Sequence, residues 1–214
     1  MLASIPQLQR ALETLSVPGI LVDHRIISDG DEKALLPEEL DAFAGSVIKV
    51  RRASGSARML ARTLLPRLGL HQQPIVKSAS GLPIWPSGIV GSLAHDSEIA
   101  VAAIAMRRLF SSVGIDIEPA DPLDPALLAM VATSRERERA SDEPCRGRLL
   151  FCIKEAVYKA SYPLDGTFLD HHDVEVDFAT GTAAICSGRL LNFRYCISNH
   201  IVALAFIAAA HPVA

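Results

Sequence analysis

The last quarter of the chain constrains the fold most. Four segments, 173–178, 182–186, 190–197 and 201–209, are either apolar or alternate apolar with polar residues. Short polar turns such as Ser198-Asn199 separate them. Period-two alternation broken by turn residues is the pattern of successive strands. The longest apolar run, 201–210, is about half of the roughly 20 residues that a helical membrane span needs, so no span is expected.

Upstream the pattern is mixed. A short helix is expected near the N-terminus, then the apolar run Gly19-Ile20-Leu21-Val22, then a helix start at Pro37. Leu60, Leu64 and Leu68 recur every four residues, and Arg58 and Arg62 do so on another face, so 51–68 is expected to be helical with Pro66 kinking or shortening it. Residues 78–90 contain several Gly and Pro breaks and read as a loop entering a strand. A buried strand is expected at 99–106. At 113–118, Val113, Ile115 and Ile117 alternate with Gly114, Asp116 and Glu118, the period of a half-buried strand. Thr133 and Glu136 have capping-box spacing, and 148–161 reads as a helix that Pro163 stops.

At 214 residues the chain suffices for one domain or two small lobes. Half of it is hydrophobic and 21% is charged, which excludes a largely disordered chain. The first fifteen residues lack a basic start followed by a continuous apolar stretch, so no secretory signal and a cytoplasmic protein are expected. The four cysteines, Cys145, Cys152, Cys186 and Cys196, match neither a CxxC pair nor a zinc pattern, and are expected to be reduced thiols.

Charge is segregated. The chain carries −3 overall, yet residues 42–95 contain no Asp or Glu while Lys49, Arg51, Arg52, Arg58, Arg62, Arg67 and Lys77 contribute +7, leaving −10 elsewhere (−3 minus +7). A basic block in an acidic protein points to a local anionic ligand rather than to nucleic acid or a membrane surface; a solvated helix face would have the same composition.

Two constellations could carry chemistry. Asp116 and Glu118, two apart on a strand, share a face roughly 6–7 Å apart. Their repulsion is on the order of 2–3 kcal/mol at an effective dielectric near 20, which a cation would relieve. Hard oxygens without a Cys or His pattern favour Mg²⁺ over Zn²⁺, although surface strands often carry two acids. On 148–161, Glu155 and Lys159 share a helix face while Phe151, Ala156 and Val157 can bury the other; an ordinary exposed Glu–Lys pair has the same spacing.

In order along the chain, Pro83-Ile-Trp85-Pro86-Ser-Gly88-Ile-Val-Gly91-Ser92-Leu-Ala-His95, then Gly114-Ile-Asp116-Ile-Glu118, then Lys154-Glu155-Ala-Val-Tyr158-Lys159 resemble the motifs of the Sfp-type 4′-phosphopantetheinyl transferases. The Pro-x-Trp-Pro wording is most like the enterobactin synthase component D subgroup. The resemblance runs from about residue 51 to the C-terminal hairpin. It implies an α+β, pseudo-twofold, two-lobed fold, each lobe a mainly antiparallel sheet with a packed helix, with coenzyme A bound between the lobes. The lobes are expected at 1–109 and 110–214. The implied activity moves the phosphopantetheine arm of coenzyme A onto a serine of an apo acyl or peptidyl carrier protein, releasing 3′,5′-ADP. By matched position, Asp116, Glu118 and Glu155 would hold Mg²⁺, Lys159 would contact a phosphate and His95 the 3′-phosphate region. Arg58, with Arg51, Arg52, Lys77 and Lys154, would contribute further contacts to coenzyme A. Asp116, Glu155 and Lys159 would be the catalytic set, with either Glu155 or a metal-bound water as base.

The chain departs from the family's pattern at two places. Gly81 and Leu82 stand where relatives commonly place Lys or Arg, with Lys77 as a substitute four residues upstream, and Ala94 stands where relatives carry a hydroxyl. A lost neutral hydrogen bond costs about 0.5–1.5 kcal/mol, enough to lower coenzyme A affinity several-fold. The rival readings are a catalytically impaired module that binds coenzyme A or a carrier, and a metal-dependent phosphodiesterase. Siderophore, polyketide and fatty-acid carriers all fit, with a lean towards secondary metabolism, and a monomer is expected. His171-His172-Asp173 is set aside as a metal site because neighbours on an extended segment point opposite ways. Trp85 is expected to anchor its loop by packing. Ser92 lacks the Gly-x-Ser-x-Gly elbow of a nucleophile.

Overall fold

The computed structural model describes residues 5–138 and 145–210. In chain order the elements are α1 (Ile5–Glu13), β1 (Ile20–Ile26), α2 (Pro37–Leu40), α3 (Ile48–Leu64), β2 (Ile89–His95), β3 (Ile99–Met106), β4 (Phe110–Pro119), α4 (Pro125–Val131), α5 (Ser134–Glu138), α6 (Arg146–Asp165), β5 (Val174–Asp177), β6 (Thr182–Ile185), β7 (Leu190–Ile197) and β8 (His200–Ala208). Two compact units result, one centred on 16–113 and one on 114–207. The sequence expectation cut the chain at 109/110. The contacts change unit at 113/114, inside β4, and α1 joins the later residues, where it packs on β7.

In the first unit β1 and β2 flank β3, both antiparallel, with Ile20 opposite Ala105 and Ile89 opposite Met106. As the central strand under α3, β3 is buried at every position from Ile99 to Ala105. Its alanines leave room for the helix, whose Leu60, Ala61 and Leu64 meet Ala102 and Ile104 in the core. α3 starts three residues before the expected 51. It ends before Pro66, which sits in a single 3-10 turn, Leu65–Leu68, closed by left-handed Gly69. A proline lacks the N–H that a further α-turn would need.

The second unit holds a five-stranded sheet ordered β4-β8-β7-β6-β5, in which β5 to β8 run antiparallel. α6 covers it through Leu149, Ile153, Ala156, Val157 and Ala160, packed with Val176, Leu191, Phe193 and Ala203. Two expectations need correction. β4 is not half-buried: residues 112–117 are all buried, since α6 lies over the face that carries Gly114 and Asp116. Nor does Pro163 stop α6, which continues to Asp165 and closes at left-handed Gly166, whose N–H donates to the Tyr162 carbonyl. In the last turn a proline forfeits one backbone bond instead of breaking a continuing ladder.

Candidate functional site

Gly114 brings the site together. A Cβ there would run into the Ala156 carbonyl oxygen and come within 2.6 Å of the Ala160 nitrogen, so only glycine lets α6 approach β4 this closely. Two residues along β4, Asp116 therefore lies under α6. It is buried, and its Oδ1 accepts a hydrogen bond from Lys159 Nζ at 2.6 Å. Lys159 thus pairs with Asp116 and not, as an isolated helix would have it, with Glu155.

Asp116 Oδ2 is buried with no hydrogen-bond partner. A buried carboxylate oxygen left unpaired is costly unless something outside the described protein engages it. Glu118 accepts from Arg148 at 3.1 Å. Glu155 lies 3.9 Å from His171 Nε2, and burial, followed by the negative charge of Asp116, raises its pKa against the opposing pull of Lys159 and His171. Beneath them, burial and the charges of Asp116 and Glu118 push the Cys152 thiol well up. Among the described residues no three of His, Cys, Asp and Glu are grouped closely enough to cage a metal as they stand. The donors nonetheless suit a hard divalent cation: all are carboxylate oxygens, and one of them is buried and unpartnered.

Lys154 sits differently. It is 1% exposed, and its three ammonium protons go to the Val131 carbonyl (2.9 Å), Glu136 Oε2 (2.7 Å) and the His171 carbonyl (2.8 Å). Burial lowers its pKa, which the hydrogen bond and charge of Glu136 oppose. Beside Glu155 a pocket of about 280 Å³ opens, lined by Met130, Tyr158, Phe168, Leu169 and Val174 together with Lys154, Asp170 and His171.

In the first unit, Arg58 is buried. Its Nε donates to the Ile75 carbonyl at 2.8 Å and its guanidinium lies 4.6 Å over the Phe43 ring, with the Lys77 ammonium 5.5 Å from the same ring. Arg52 is held by Glu32 at 3.2 Å and Asp29 at 2.5 Å. Arg51 lies half-buried on α3, and His95 is exposed at the end of β2, its Nδ1 3.3 Å from the Asp96 carbonyl oxygen. Trp85 packs against the α3–β3 core, as expected of a loop anchor.

Three neighbours of the site escaped sequence reasoning. Arg148 had a signal: it lies seven and eleven residues before Glu155 and Lys159, so all three share one face of α6. Glu136 was visible only as a cap residue, and its bonds to Lys154 and to the Val176 N–H cross distant parts of the chain. His171 was discounted on the assumption of an extended segment, whereas residues 171–173 form a 3-10 turn.

Comparison with known proteins agrees with this geometry. Residues 36–105 match the 4′-phosphopantetheinyl transferase N-terminal domain, and residues 112–208 match the 4′-phosphopantetheinyl transferase superfamily. The chain is 40% identical over 162 residues to 4′-phosphopantetheinyl transferase Svp of Streptomyces mobaraensis, covering 72% of this chain and 66% of that one. It is 40% identical over 180 residues to 4′-phosphopantetheinyl transferase Npt of Nocardia iowensis, covering 83% and 81%. Enterobactin synthase component D of Salmonella typhi is 33% identical over 84 residues, covering 36% and 34%. The chain belongs to the 4′-phosphopantetheinyl transferase superfamily, a family of transferase enzymes.

Proposed function

We propose that this protein transfers the 4′-phosphopantetheine arm of coenzyme A to a serine of an apo carrier protein in a Mg²⁺-dependent reaction that releases 3′,5′-ADP. The observation that carries the reading is the cluster of Asp116, Glu155 and Lys159, in which a buried carboxylate oxygen has no protein partner while a lysine stands at the other oxygen. Asp116, Glu118 and Glu155 would hold Mg²⁺, which when bound neutralises charge on the pyrophosphate. Lys159 offers its ammonium to a phosphate oxygen as the reacting phosphorus passes between the two oxygens. As the new O–P bond forms and the bond to the departing 3′,5′-ADP breaks, the serine proton would pass either to Glu155 or, where Glu155 serves only to hold the cation, to water at the cation.

The pocket beside Glu155, where Met130, Tyr158, Phe168, Leu169 and Val174 stand with Lys154, Asp170 and His171, is proposed to take the phosphopantetheine arm of coenzyme A. By the resemblance, Arg51, Arg52, Lys77 and His95 are proposed as contacts to the phosphates of coenzyme A. Lys154 has all three donors engaged inside the protein and belongs to the scaffold in this reading, whereas Arg58 has two of its five N–H groups engaged, by the Ile75 and Ser54 carbonyls, and stays a proposed contact to coenzyme A. The likeness to enterobactin synthase component D makes a siderophore-pathway carrier the first acceptor to try. The protein is proposed to act as a cytoplasmic monomer; no helix among the described residues is long and apolar enough to cross a membrane.

Intact-mass spectrometry of an apo carrier with coenzyme A and Mg²⁺ tests this. The expected result is a gain of one phosphopantetheine, abolished by Glu155→Gln and by chelation of the metal. Unmodified siderophore, polyketide and fatty-acid carriers, with coenzyme A binding still measurable, would overturn it.

A further inference from the structure

Among the described residues Lys154 is the largest fully buried side chain, and it immediately precedes Glu155. Consecutive residues on a helix point about 100° apart, so the direction in which Lys154 is fixed sets the direction of Glu155. Each of its three protons is held by a different segment: the last residue of α4 (Val131), the first turn of α5 (Glu136) and the 3-10 turn at His171. An ammonium has three donors and no more, so none remains for a phosphate oxygen.

Glu136 is equally committed. Its Oε2 accepts from the Thr133 N–H at 2.8 Å as well as from Lys154, and its Oε1 accepts from the Val176 N–H at 2.8 Å, which ties α5 to β5. Thr133 completes the cap: its hydroxyl accepts from the Glu136 N–H at 3.2 Å and donates to Glu175 at 2.9 Å. A cap alone needs only the contacts between Thr133 and Glu136. The carboxylate here also carries a buried lysine and a strand. The His171 carbonyl bound by Lys154 belongs to the residue whose imidazole lies 3.9 Å from Glu155. One ammonium therefore fixes both the helix that bears the carboxylate and the backbone of its neighbour.

We infer that Lys154 and Glu136 are positioning residues for the transfer reaction: a buried ion pair that locks α4, α5, the His171 turn and α6 together so that Glu155 and His171 face each other in one arrangement. The inference rests on the proposed phosphopantetheinyl transfer, with Glu155 at the metal. Removing one partner of a buried pair leaves an uncompensated charge, whereas removing both is often tolerated. Three variants follow: Lys154→Met, Glu136→Gln, and the two combined, which keeps the test open if either single variant does not fold. Leu204→Ala, a cavity on the face of β8 opposite the residues that pack under α6, serves as the control for lost stability alone.

Each protein is assayed below its melting transition for kcat and KM for coenzyme A, and Mn²⁺ affinity is measured separately by electron paramagnetic resonance with coenzyme A present. Lys154→Met and the double variant are expected to lower kcat and Mn²⁺ affinity by about 10- to 100-fold, the range usual for groups that orient metal ligands, while KM for coenzyme A stays within about threefold. Leu204→Ala is expected to lose melting temperature but keep both kcat and Mn²⁺ affinity. The inference is overturned if the node variants behave like Leu204→Ala, or if KM rises by as much as kcat falls, which would make Lys154 a ligand contact. A wild-type protein that modifies no carrier would instead sink the proposed function, an outcome the first arm registers before any variant is compared.

Discussion

Asp165 closes α6 from its last turn. The Thr167 N–H donates to its carboxylate at 2.9 Å and the Arg189 guanidinium at 2.7 Å, and these hold its pKa at about 2. A carboxylate depressed in this way favours the folded state above its unfolded pKa and loses that contribution as pH falls through its folded value. Asp165→Asn is thus expected to lower the urea midpoint at pH 7, the gap to wild type narrowing between about pH 4 and pH 2 as Asp165 itself takes up a proton. Midpoints measured from pH 7 down to 3 check this, and a gap that does not change with pH would show that the ionised carboxylate contributes nothing. Arg189 also donates to Ser161 at 2.9 Å, so Arg189→Leu should reproduce the pH-dependent part of the loss.

Among the elements, the approach of α6 to β4 decides whether the site exists. Gly114 is the point of contact, and its cause is space, with no left-handed backbone involved. Gly114→Ala is expected to cost about 1–3 kcal/mol or more by pushing the helix off the strand, and to lower transfer activity with it, because Lys159 would move away from Asp116. Denaturant unfolding and the carrier assay read the two effects. Retained stability with full activity would show that the helix relaxes without disturbing the pair. Gly55 plays the same part in the first unit, where a Cβ would run into the Asp31 carbonyl as α3 passes the 3-10 turn Asp31–Ala34. A glycine in mid-helix disfavours the helix by roughly 1 kcal/mol relative to alanine, so its presence in α3 marks a close contact.

For the whole molecule, burial sorts groups that look alike in the sequence. Of four free cysteines Cys186 is exposed, whereas burial pushes Cys152 well up and Cys196 to about 11. A thiol reagent at pH 8 is expected to label Cys186 first and to reach Cys152 and Cys196 only on unfolding; prompt labelling of Cys152 would mean that the floor beneath Asp116 opens. The strands, α3 and α6 were legible because each repeats its apolar residues at the period of its own geometry, and the three motifs were legible because their residues are close in the chain. By itself, then, the sequence determined the C-terminal strands and the two long helices, where the carboxylates and basic groups stand, and the family that their order resembles, while α4 left no such signal. Only the tertiary structure decided what each charge does. Lys154 and Lys159 are five residues apart on one helix, yet one is sealed among Val131, Glu136 and His171 while the other reaches Asp116 at the site. Partners drawn from residues 17 to 43 positions away, and the depth at which each ammonium is buried, follow from how the helix lies on its sheet, which no local pattern encodes.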